Sequence, residues 1–149
     1  MSRVMKRRDF NDRHLFLDTN ILFDAVLAGR PESDEACRVL QRCNSGTGDM
    51  AFAASTSLKD VYYIMAKRVG KKEALEAIKH LMDLIVVAPI SFEDCDISLN
   101  SNEPDFEDGL IRACAELNDA DIILTRDKAA FQKSFVRSMT CAEYLAIAV

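Results

Sequence analysis

Apolar positions along the chain fall into two kinds of run. Short unbroken apolar runs alternate with longer stretches in which apolar residues return every three or four positions, the signature of buried strands between amphipathic helices. Leu15 to Leu17 read as a first strand, with Asp18 at its carboxyl end and a helix from Ile21 onward. Gly29-Arg30-Pro31 stops that helix, and Ser33 to Cys43 form a second, with Ala36, Cys37, Val39, Leu40 and Cys43 on one face and Asn44-Ser45-Gly46 as its end signal. Met50 to Ala54 read as a second strand. Ser57-Leu58-Lys59-Asp60 resembles a capping box with Asp in the place of Glu or Gln, opening a helix that runs to Gly70. A fourth helix covers Lys71 to Met82, and Leu84 to Val87 form a strand ended by Pro89. Further helices are expected over Ser91 to Asn100 and, after the turn Asn102-Glu103-Pro104, over Asp105 to Leu117. Asp121 to Thr125 give a fourth strand that points toward Asp127. A short helix over Ala129 to Lys133, an edge strand over Ser134 to Met139 and a last helix capped by Thr140-Cys141-Ala142-Glu143 complete the chain.

Strands alternating with helices imply an α/β fold: a single-domain three-layer sandwich with a central, mostly parallel sheet of about five strands flanked by helices. Residues 1–13 are polar and basic without periodicity and are expected to be a flexible N-terminal arm, leaving 14–149 as the domain. Ligand sites in such sheets lie beyond the carboxyl ends of the strands. Asp18 and Asp127 both fall there.

Composition narrows the chemistry. A hydrophobic fraction of 49% and a charged fraction of 29% over 149 residues are globular values and exclude disorder. No apolar run approaches a membrane span, and no signal-peptide core follows the basic start, so a cytoplasmic protein is expected. The cysteines number five and form no CxxC pair, which excludes a disulfide framework or zinc site; Cys37, Cys114 and Cys141 read as small core residues. His14 and His80 have no nearby nucleophile. Chemistry must then come from carboxylates, and a net charge of −5 is compatible with an acid cluster that binds divalent cations.

Asp18, Asp60, Asp108 and Asp127 are the candidate acids. Two follow strand ends and two sit in first helical turns, so all four converge if those helices start on the same edge of the sheet. Each has a plainer reading: Asp60 as the partner of Ser57 in the capping box, Asp105, Glu107 and Asp108 as favourable charges at a helix amino end with Asp105 the cap itself, and Asp127 as a turn residue. Asp24 and Asp121 are expected to be exposed or capping. Carboxylates facing one another repel unless neutralised, and a hard divalent cation is the usual neutraliser.

Jointly, Leu17-Asp18-Thr19-Asn20, Ser55-Thr56-Ser57-Leu58-Lys59-Asp60, Asp105-Phe106-Glu107-Asp108 and Leu124-Thr125-Arg126-Asp127 resemble the four acidic motifs of PIN-domain ribonucleases, in order and with comparable spacing, from about Leu15 to Leu145. The resemblance implies a helix-flanked sheet, a Mg²⁺ or Mn²⁺ site and RNA hydrolysis. Many small relatives are VapC-like toxins of toxin–antitoxin pairs, which adds an antitoxin protein and a homodimer to the expected partners. By position, Asp18, Asp108 and Asp127 match the metal-binding acids and Asp60 the second-motif acid, so all four are expected to be catalytic. Asn20 matches the residue supporting the first acid, and Thr125 the hydroxyl beside the last. Asp60 departs from the pattern, since relatives usually carry Glu; one methylene shorter, it reaches a metal only through water or a shifted helix. Gly109 replaces a common small residue and is read as room for a ligand backbone.

Metal-dependent phosphodiester hydrolysis is the reading favoured by these residues, with Arg126, Lys128 and the Lys67-Arg68-Lys71-Lys72 cluster as candidate RNA contacts, the cluster reading more simply as a solvated helix junction. An aspartyl phosphatase with Asp18 as nucleophile is disfavoured because Asn20 stands where such enzymes carry a second Asp. The remaining alternative is a catalytically degenerate PIN-like module that binds RNA or a protein.

Overall fold

A computed structural model describes residues 12–103 and 105–148. Strands β1 (His14–Leu17), β2 (Met50–Ala54), β3 (Val86–Ala88), β4 (Ile122–Leu124) and β5 (Arg137–Met139) form one sheet in the order β3-β2-β1-β4-β5. Every pairing is parallel, with Phe16 in register with Phe52 on one side and Ile123 on the other. The helices are α1 (Thr19–Val26), α2 (Ser33–Cys43), α3 (Ser55–Val69), α4 (Lys71–Leu84), α5 (Phe92–Asn100), α6 (Phe106–Leu117) and α7 (Cys141–Ile147), with a 3₁₀ turn at Lys128–Phe131.

Strand side chains alternate between two cores. Leu15, Leu17, Ile122 and Leu124 pack with Ile21, Leu22, Val39, Leu40, Val61, Leu81 and Tyr144 on one face. Phe16 and Ile123 pack with Ile111, Cys114, Phe131 and Val136 on the other. Helices α1, α2, α3, α4 and α7 therefore cover the first face and α6 the second, with α5 packed on α6. The expected three-layer sandwich is thus the fold, its sheet wholly parallel.

The chain runs outward from β1 to β2 and β3, then returns to place β4 on the other side of β1. That reversal opens a crevice at the carboxyl ends of β1 and β4, where an α/β sheet accepts its ligand. Asp18 closes the junction, donating its backbone N–H to Leu124 O at 2.9 Å.

Several local expectations shift. Helix α3 starts at Ser55 with Ala54 as its cap and no side-chain capping bond, so the capping box at Ser57 does not form. Ser57 is instead buried inside the first turn with its hydroxyl 2.7 Å from that of Thr19. Helix α4 continues through Leu84, and the strand starts only at Val86, where pairing with Phe52 begins. Cys37 is exposed, its thiol donating to Ala25 O at 3.4 Å, whereas Cys114 and Cys141 are buried as expected. Most of the expected arm, and Pro104 of the expected turn, lie outside the described residues. Within that arm Arg13 is held by Asp49, whose Oδ1 accepts the Arg13 backbone N–H at 3.0 Å and its Nε at 3.4 Å.

Candidate active site

β1 delivers Asp18 in extended backbone to the start of α1, and its carboxylate is almost wholly buried. Oδ1 accepts the Thr19 N–H at 2.8 Å, capping α1, and Oδ2 accepts the Thr125 hydroxyl at 2.8 Å. That hydroxyl in turn accepts the Asp127 N–H at 2.9 Å, so Thr125 uses donor and acceptor together to lock Asp18 to the loop carrying Asp127. Thr125 is itself fixed by donating its N–H to Met139 O of the neighbouring strand at 2.9 Å. Asn20 Oδ1 faces the Arg126 N–H at 3.5 Å, so its support reaches the β4 loop rather than Asp18 directly.

The third acid comes from α6. Asp105 is the N-cap, accepting the Asp108 N–H at 3.0 Å, as the sequence suggests for that position. Gly109 serves a close helix contact rather than a ligand: a Cβ there would lie 2.2 Å from the Ser98 hydroxyl of α5. Ser98 also donates to Phe106 O at 2.9 Å, so α5 buttresses the turn that carries Asp108.

These acids feel one another. Burial raises the Asp18 carboxyl above its ordinary range; hydrogen bonds from Thr125 and Thr19 oppose this, Asp127 adds to it and Arg126 reduces it. Asp108 is pushed up to about 6, first by burial and then by Asp105, Asp18, Asp127 and Glu103. A cavity of about 560 Å³ is lined by Asp18, Asn20, Asp60, Asp108 and Asp127, with Lys59, Tyr63 and Phe106 among its other walls. Asp60 joins this cavity half-exposed, with Lys59 Nζ 3.4 Å from its Oδ1.

Arg126 and Lys128, two of the expected RNA contacts, are committed to ion pairs, and the basic cluster lies exposed. Arg126 pairs at 2.8 Å with Asp24, which is fully buried within α1 rather than exposed or capping as expected. Lys128 pairs at 2.8 Å with Glu143. Lys67, Arg68, Lys71 and Lys72 are exposed at the α3–α4 junction, although Lys67 Nζ sits 4.1 Å from the centroid of the Tyr63 ring.

A sequence model of the PIN domain matches residues 6–129. The chain belongs to the PIN domain family. Ribonuclease VapC1 of Aquifex aeolicus (strain VF5) is a curated relative, 23% identical over 139 residues that cover 90% of this chain and 94% of that protein. Among solved structures, VapBC2 from Rickettsia felis bound to a DNA fragment from its promoter aligns with TM-score 0.66 at 15% identity, over 85% of this chain and 98% of that one. VapC20 of Mycobacterium tuberculosis, a sarcin–ricin loop cleaving toxin, aligns with TM-score 0.61 at 15% identity, over 78% and 92%. These structures share the fold.

In this PIN domain the cleft's donors are all oxygens, the set that suits a hard divalent cation and suits zinc poorly. Two of its carboxyls, Asp18 and Asp108, are raised by burial and by neighbouring negative charge, strain that a cation would relieve. The donor chemistry therefore fits Mg²⁺ or Mn²⁺. Among the described residues no group of three or more acids, histidines or cysteines is drawn close enough to hold an ion.

Local pattern missed the Thr19–Ser57 hydroxyl pair, Lys59 and the aromatics Tyr63 and Phe106. Helical periodicity puts Lys59 and Tyr63 four apart on one face of α3, a signal present in any helix that spans both.

Proposed function

We propose that this PIN domain is a metal-dependent endoribonuclease and the toxin of a toxin–antitoxin pair. The observation that carries the reading is the convergence of acids from four separate segments on one cleft, with Asp108 raised by Asp18 and Asp127. Similarity to Ribonuclease VapC1 over nearly the whole chain supports RNA as substrate. Structural likeness to VapBC and toxin–antitoxin complexes supports an antitoxin partner.

Asp18, Asp108 and Asp127 would hold the cation, with Asp60 assisting from α3 and Asn20, Thr125 and Asp105 positioning them. A bound Mg²⁺ or Mn²⁺ supplies a water of lowered pKa and charge stabilisation for phosphodiester hydrolysis. Thr125 keeps the Asp18 oxygen aimed by donating to it, and Asp105 fixes the turn bearing Asp108. Purified protein should cleave RNA with Mn²⁺ or Mg²⁺, stop in chelator, and lose cleavage on Asp18→Asn; equal cleavage by that variant sinks the assignment.

One observation favours a degenerate binding module: Asp60, the short acid in the second motif, leans on Lys59 at 3.4 Å. Asp60→Glu separates the readings. A catalytic site cleaves RNA as wild type and keeps that activity with the longer acid, whereas a module degenerate at Asp60 is inert as wild type and gains cleavage only in the variant.

A further inference from the structure

Asp24 is the buried acid that the cleft does not use. It lies on α1, six residues past Asp18 and so roughly 9 Å along the helix axis, and is 0% exposed. Arg30 Nε stands 2.9 Å from its Oδ1 and Arg126 Nε 2.8 Å from its Oδ2. Both contacts are charge pairs rather than aligned hydrogen bonds. Such a buried ionic group is weak evidence for stability, because apolar replacements of similar volume often do as well.

The position of Arg126 gives the group a use. Arg126 lies between Thr125, which bonds Asp18, and Asp127, and its charge already acts on the Asp18 carboxyl. On the same loop Lys128 is turned to Glu143 at 2.8 Å. Both cations flanking Asp127 are thus drawn to acids outside the cleft, and among the described residues no Lys or Arg pairs with Asp18, Asp108 or Asp127 at ion-pair distance.

We propose that Asp24 is a positioning residue that holds the Arg126 guanidinium out of the acidic cleft, so that the loop carrying Asp127 does not supply an internal cation to Asp18 and Asp127. The proposal rests on the reading of the cleft as a cation site. Freed of Asp24, a guanidinium that stays charged at every working pH would compete with a divalent cation for the same oxygens.

The test is Mn²⁺ binding to the full-length protein, measured by electron paramagnetic resonance of free Mn²⁺. Asp24→Asn should weaken binding tenfold or more, and Asp24→Asn/Arg126→Gln should return it to within about threefold of wild type, the spread expected for context effects. Asp24→Asn/Arg30→Gln carries the same net charge but leaves Arg126 free, so it should stay weak. Recovery in that control would reveal a general field effect and overturn the proposal, as would wild-type binding by Asp24→Asn. Should the Asp24 variants fail to fold, Arg126→Gln alone, which keeps the Asp24–Arg30 pair, should bind Mn²⁺ at least as tightly as wild type; a tenfold loss contradicts the proposal. If the wild type binds no Mn²⁺, the cation-site reading fails by itself. Positioning is then decided on metal-free protein by nuclear Overhauser contacts of the Arg126 Nε–H. These should move from α1 protons to those of Asp127 in Asp24→Asn, and unchanged contacts overturn it.

Discussion

Burial and the carboxylates of Asp105, Asp18, Asp127 and Glu103 push Asp108 up to about 6, and the sign of its effect on stability follows. A folded-state value above the unfolded one means that the charged form is penalised in the fold. That penalty is full above pH 6 and is relieved as pH falls toward the ordinary value of 3.8, because the folded protein then binds a proton the unfolded chain does not. Metal-free Asp108→Asn should therefore melt higher than wild type at pH 7.5, with the difference shrinking by pH 4.5; a constant difference would contradict the assignment. Thr125 makes a second residue-scale prediction. Thr125→Val leaves a buried Asp18 oxygen and the Asp127 N–H without their shared hydroxyl, which should cost about 1–3 kcal/mol in urea unfolding and reduce RNA cleavage together with it. Asp18 and Asp127 were legible because an acid that ends an apolar run is conspicuous. Asp24 was not, since its two arginines come from loops that no local pattern connects.

Elements place the acids, and their junctions decide how well. Gly109 lets the first turn of α6 approach Ser98 on α5 so closely that Gly109→Ala would set a Cβ 2.2 Å from the Ser98 hydroxyl and 3.2 Å from its Cβ. Overpacking of this kind typically costs about 1–3 kcal/mol, more than the helix gains from alanine, so chemical denaturation should show net destabilisation. Ser98→Ala in the same chain should recover part of that loss by removing the nearer atom. Helix existence was readable from the apolar period, and Asp105 was readable as a cap. The start of α3 was not, because Ser55, Thr56 and Ser57 offer three similar hydroxyls, and the Ser57 hydroxyl meets that of Thr19, a partner distant in sequence, instead of capping the helix. Likewise the boundary between α4 and β3 depends on where Val86 meets Phe52, a pairing partner distant in sequence.

At the scale of the whole molecule, the acidic cleft and a buried ionic hub occupy opposite ends of the sheet. The carboxyl ends of β1 and β4 hold the acids, while Asp49, just before β2, gathers Arg13, Arg42 and Tyr144 at the other end. Removing a buried, charged hub of this sort costs about 3–5 kcal/mol. Asp49→Ala should thus lower the melting temperature while leaving the cleavage rate of the folded protein and its Mn²⁺ dependence intact. The alternation of strands and helices was enough to foresee a parallel sandwich, and the reversal between β1 and β4 explains why acids far apart in sequence share one cleft. The central claim, that these acids form one cation site, is tested most directly by thermal melting with Mn²⁺. At a Mn²⁺ concentration 100 times its dissociation constant, binding adds about 2.7 kcal/mol, a rise of roughly 5–10 °C for a domain of this size. Wild type should show that rise and Asp18→Asn and Asp108→Asn should lose most of it; an unmoved wild type, or variants that rise equally, would contradict the account.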